Sequence, residues 1–199
     1  NSCPSPPPPW ARLEHHQCEV CPLLLDDYLF CPVAVSISTL IAEFSSTVSY
    51  SACKVSCVAP ERTIVKETTV QDGLASILGL LMATSGCPIM EPLRPLARFH
   101  LPFSTVDESL FRFLAAYMIR QYYLHGKSDN GDFDLKNIKE HYSLVRQVNK
   151  GMLQRIMDIS KRDADKNAIV NLNSVAQILE FEADDNFETL SYLFSSDLI

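Results

Sequence analysis

Two short stretches concentrate the residues able to do chemistry. The first is Glu14-His15-His16-Gln17-Cys18-Glu19-Val20-Cys21, followed by Cys31. Two thiolates at C-x-x-C spacing grip one Zn²⁺ because a tight turn brings both sulfurs within bonding reach, and His15 or His16 with Cys31 would complete a tetrahedron. Closing such a site would also order a stretch poor in regular structure. The second C-x-x-C of a usual zinc module is absent, and small buried thiols are the competing reading. The second stretch runs from Cys87 to Phe103, where Arg94, Arg98 and His100 gather positive charge in a proline-braced, otherwise apolar segment. Guanidinium groups so placed would hold a carboxylate or phosphate. Pairing of the arginines with the protein's own carboxylates is the alternative, because structural ion pairs populate such segments too.

Other combinations are weaker. Cys53 and Cys57 fall four apart in an alternating stretch, so on a strand they stand about 13 Å apart and cannot be bridged. Cys87 with His100 would form a thiol–imidazole pair, but a buried cysteine is usually inert. No dinucleotide fingerprint, phosphate loop, zinc-protease motif or nucleophile elbow is present, and only 6 glycines are available for any cofactor-cradling loop. No catalytic residue is assigned, and the reading leans away from an enzyme.

The elements that must position these residues divide unevenly. Of 199 residues, all 7 Cys lie at or before Cys87 and all 12 Pro at or before Pro102, leaving a second half with neither. A net charge of -7 disfavours nucleic acid as a partner, since backbone binding leaves a basic footprint. The odd cysteine count favours reduced thiols and a cytoplasmic location. Residues 4–9 form a polyproline run without the basic and apolar regions of a signal peptide. Gly73 to Met90 carries no charge, but Gly86-Cys87-Pro88 stops a helix there, so a core helix rather than a membrane span is expected.

Periodicity predicts an α+β, predominantly α-helical protein. A helix over 33–45 opens behind Pro32. Alternation from Val48 gives a strand, 59–62 a turn and 63–69 a second strand. Thr69 then caps a helix over 70–84 with Leu74, Ile77, Leu78 and Leu81 inward. Four prolines between Pro88 and Pro102 impose an irregular connection. Ser104 and Thr105 with Asp107 and Glu108 start a helix that Gly126 should stop near His125, and the cluster 128–132 reads as a turn. Leu135, Ile138, Tyr142, Val145, Asn149, Met152, Ile156 and Ile159 form a heptad-like seam. Asn149 in that seam is either hydrogen-bonded inside the bundle or fixes register in a helix pair or dimer. A helix over 163–181 follows, with Ile169, Leu172, Val175, Ala176 and Leu179 inward. A last helix near 185–196 uses Phe187, Leu190 and Phe194. Residues 1–103 therefore make a Cys/Pro-rich part with a β-hairpin, packed as one unit on a helical bundle at 104–199.

The segments His15-His16-Gln17-Cys18-Glu19-Val20-Cys21-Pro22, Cys31-Pro32-Val33-Ala34, Ala83-Thr84-Ser85-Gly86-Cys87-Pro88 and Arg94 to Phe103 resemble a family of uncharacterised bacterial proteins, as does 163–168. The resemblance spans most of the chain and implies a free-standing cytoplasmic protein with no assigned activity. The leading functional expectation is a non-enzymatic protein acting through protein–protein interaction or self-association as a homodimer, with no membrane partner. The alternative is a metal-binding or small-anion-binding protein. It would use Cys18, Cys21 and Cys31 with His15 or His16 for zinc, or Arg94, Arg98 and His100 for an anion.

Overall fold

Pro32 begins helix α1 (Pro32–Phe44), its missing N–H falling where a helix has no carbonyl to offer. This computed structural model describes residues 6–128, 131–184 and 187–194. Cys3, the start of the proline run, Asp129 and Asn130 of the expected turn, and the side chain of Leu179 lie outside the described residues. Strands β1 (Ala52–Ala59) and β2 (Arg62–Thr69) pair antiparallel from Ala52↔Thr69 to Ala59↔Arg62, leaving Pro60 and Glu61 as a two-residue turn. Cys53, Val55 and Cys57 share the half-buried face of β1, as alternation requires.

Helix α2 (Val70–Ala83) begins at Thr69, but that hydroxyl does not cap the backbone. It donates instead to Asp72 Oδ2 at 2.7 Å, joined by Thr68 at 3.0 Å. Leu74, Leu78 and Met82 are the buried stripe of α2, while Ile77, expected inward, is exposed. The helix ends where Gly86 takes φ +87°, a left-handed conformation that only glycine adopts without strain. The proline-rich connection then contains a 3-10 turn (Glu91–Leu93) and the short helix α3 (Arg94–Arg98).

Helix α4 (Val106–Ser128) opens with a reciprocal capping box. Glu108 N–H donates to Thr105 Oγ1 at 3.2 Å, and Thr105 N–H to Glu108 Oε2 at 2.7 Å. Gly126 does not stop it, since nothing forces a left-handed turn there. Helix α5 (Ile138–Ile159) starts later than the seam suggested, because Leu135 sits at φ 59° in the preceding turn. Asp132 organises that turn, accepting from Tyr117 O–H at 2.7 Å, Asn137 N–H at 2.8 Å and Lys136 N–H at 3.0 Å. Helix α6 (Ala164–Asp184) packs on α5 and α2, so the two halves of the sequence share one core.

The seam of α5 is consumed within the chain: Ile138, Tyr142, Val145, Asn149, Met152 and Ile156 are all buried. Asn149 therefore offers no surface for a helix pair. Of the expected last helix near 185–196, residues 185, 186, 195 and 196 lie outside the described residues and the rest is a 3-10 segment, Glu188–Phe194, preceded by buried Phe187, with Leu190 buried and Phe194 exposed.

Candidate metal centre

The segment before α1 folds back on α5 through three contacts from one face of that helix. Gly151 leaves room for the Cys18 sulfur, which a β-carbon at 151 would meet at 2.7 Å. One turn on, Arg155 is fully buried and donates from Nη1 to Trp10 O and Arg12 O, both at 2.7 Å, and from Nη2 to Leu13 O at 3.1 Å. Asp158 takes His16 Nε2 at 2.9 Å and lies 3.1 Å from His15 Nε2. His16 accepts φ 46° to reach it.

This docking carries the C-x-x-C turn, closed by Cys21 N–H donating to Cys18 O at 2.9 Å, onto the same ground as Cys31. Cys31 is the N-cap residue of α1. It is fixed by its own N–H donating to Ala11 O at 2.8 Å. The fourth member comes from beyond the hairpin. Cys87 is buried at the end of α2, its carbonyl accepting from Met90 and Glu91 N–H at 3.0 Å and its sulfur facing the N–H groups of Met90 and Ile89. The four thiols feel one another electrostatically. Burial, then Cys31 and Cys21, push the Cys18 thiol up to about 12, against the lowering influence of Arg155. Burial likewise raises Cys87, with Cys31 and Cys21 adding to it.

Arg155 completes the picture. Burial pulls its guanidinium below the usual arginine range, and Cys31, Cys18 and Cys21 work against that pull. Its described partners are carbonyls, and its Nε is buried without a hydrogen bond. A buried cation lacking a carboxylate requires another source of negative charge. Cys31, Cys18 and Cys21 are the groups that act on it in that sense. Among the described residues, the group whose ligand atoms all lie within 4.8 Å of one another is His15, His16 and Asp158. Cys18, Cys21, Cys31 and Cys87 would hold a metal cofactor as thiolates, the ligands that both a structural Zn²⁺ and an iron–sulfur cluster take.

Of the residues expected to form a metal site, Cys18, Cys21 and Cys31 come together, and His15 and His16 turn to Asp158. Sequence reasoning left out Cys87, Arg155 and Gly151. A signal for Cys87 was present: Cys21, Cys31 and Cys87 are each followed by proline, a pairing known at iron–sulfur ligands. The cationic segment divides differently from the expectation. Arg94 and Arg98 are exposed, Arg98 lying over the Phe99 ring, while half-buried His100 meets Ser76 Oγ at 3.3 Å. No helix among the described residues is long and apolar enough to cross a membrane.

No curated protein and no solved structure matches the chain. The model of a family described as a domain of unknown function (DUF6901) matches residues 2–195, and the chain belongs to that family.

Proposed function

We propose that this protein binds a [4Fe–4S] cluster through Cys18, Cys21, Cys31 and Cys87 and exchanges single electrons with a protein partner. The observation that carries the reading is the convergence of Cys18, Cys21 and Cys31 on Arg155, a fully buried cation with no carboxylate partner among the described residues, with Cys87 coupled to the same three thiols. A cluster with four thiolate ligands has the net negative charge that this environment lacks. All six described cysteines are free, in keeping with a reducing, cytoplasmic setting.

The interaction reading finds a surface beside the same centre. Between Cys21 and Cys31 the chain exposes Leu24, Leu25, Tyr28 and Leu29, flanked by Asp26 and Asp27. An apolar patch with an acidic edge beside a redox centre suits a partner whose face is apolar and rimmed with basic residues.

The test is chemical analysis of protein isolated and reconstituted without oxygen. The expected content is about four iron and four sulfide per chain, with charge-transfer absorption that bleaches on reduction. Cys18→Ala and Cys87→Ala abolish it, and Cys53→Ala and Cys57→Ala leave it intact. Stoichiometric zinc without iron, or a full cluster in Cys87→Ala, overturns the proposal.

A further inference from the structure

Met90, three residues beyond Cys87, lines a cavity that the cysteines do not. That cavity, of about 410 Å³, opens between α2, α4, α5, α6 and residues 90–104. That volume falls in the range of small-molecule sites. Its walls are largely apolar, with Met90, Leu96, Phe113, Val145 and Leu172 among them.

The polar groups are unevenly placed. At one end stands Arg112, half-buried, with Nη2 donating to Leu96 O at 3.1 Å and Phe99 O at 2.6 Å. Its Nε and Nη1 make no hydrogen bond among the described residues, and the nearby Glu108 carboxylate, which raises its pKa, stays outside ion-pair distance. His100 is its neighbour on the cavity wall. On the α5 wall, Asn149 is 97% buried, lines the cavity and has no described hydrogen-bond partner. The cavity thus has an apolar body, a guanidinium with free donors and a buried amide.

We infer that this cavity binds a small amphipathic carboxylate, with its head on Arg112 and its apolar chain against Leu96, Phe113 and Leu172. A carboxylate suits the site better than a phosphate. Arg112 and Lys66 against Asp72 leave the cavity lining one net positive charge, which balances a single negative charge, and no phosphate-cradling loop joins it. Desolvation of Arg112 by the surrounding apolar walls is offset when an anion arrives.

The probe is decanoate, with decanol as its uncharged counterpart, titrated calorimetrically into the whole protein. Decanoate is expected to bind and decanol to bind at least tenfold more weakly. Arg112→Gln should weaken decanoate about tenfold and leave decanol unchanged. Because Arg112 also holds the carbonyls of Leu96 and Phe99, Arg112→Lys provides a second reading, in which retained charge restores part of the preference. Ala97→Phe, which fills the cavity, should abolish binding of both probes. Equal affinities for the two probes, no binding of either, or unaltered decanoate affinity in both Arg112→Gln and Ala97→Phe overturns the inference. The result does not depend on whether a cluster is present.

Discussion

A β-carbon on residue 151 would stand 2.7 Å from the sulfur of Cys18, closer than such atoms ever pack. Glycine in a helix costs about 1 kcal/mol relative to alanine, so its place in the middle of α5 needs a reason, and Cys18 is that reason. Gly151→Ala is expected to lower cofactor occupancy and thermal stability together, despite the gain in helix propensity. Gly126 in α4, where an added β-carbon meets nothing within 4 Å, is the control. Gly126→Ala should raise stability by about 0.5–1 kcal/mol. Parallel melting curves with iron analysis check both.

Arg155 holds three backbone carbonyls of the segment before α1. Arg155→Met leaves those acceptors buried and unpaired and is expected to cost about 3 kcal/mol or more. Arg155→Lys keeps the charge but loses the planar fork, and should recover only part of the loss. Urea titrations with and without the cofactor should show the larger penalty in the loaded protein, where a negative centre loses its counter-charge.

Two carboxylates at the start of α6 pull in opposite directions with pH. Asp163, held by Ser49 N–H and Oγ–H at 2.9 Å, lies below the usual aspartate range because of those donors. Its contribution is present above the unfolded pKa and fades as pH falls through the folded one. Burial raises Asp165 despite the Ser160 hydroxyl and Lys166 N–H that it accepts. Its folded state favours the neutral acid, so stability is lost as pH climbs from the unfolded toward the folded pKa. Asp163→Asn should destabilise at neutral pH and Asp165→Asn should stabilise there. Denaturation midpoints measured at acid and neutral pH distinguish them.

His141 is packed parallel to the Phe113 ring at 6.0 Å, and burial followed by Arg120 lowers it to about 4. Its neutral form belongs to the folded state, so stability is intact above the unfolded value near 6.5 and declines as pH falls from there toward 4. The loss is about 3 kcal/mol at most. His141→Phe should flatten stability across that interval, and imidazole NMR shifts of the parent protein report the depressed titration directly.

The sequence discloses the elements wherever a local rule dominates. Pro32, the alternation at Cys53 to Cys57 and the Thr105–Glu108 box each act within a few residues, and each element forms where they place it. It misleads where a side chain competes with the backbone or a turn breaks the period: Thr69 turns to the Asp72 carboxylate, and Leu135 adopts a left-handed turn before α5. The same distinction governs the site. Cys18, Cys21 and Cys31 are close enough in the chain to be grouped by spacing, whereas Cys87 joins them only after the hairpin and α2 have folded back. Arg155, beside the seam residues Met152 and Ile156, looks like a flank position until the N-terminal carbonyls close over it.

The bond from Arg155 to Trp10 joins residues 145 positions apart, which bears on the order of events during synthesis. The ribosome must release α5 before the first cysteines find their seat against Gly151 and Arg155. The N-terminal thiols are thus made first and enclosed last. In the proposed cluster reading, insertion therefore follows synthesis of α5 and stays open to delivery from outside until the helical half has formed.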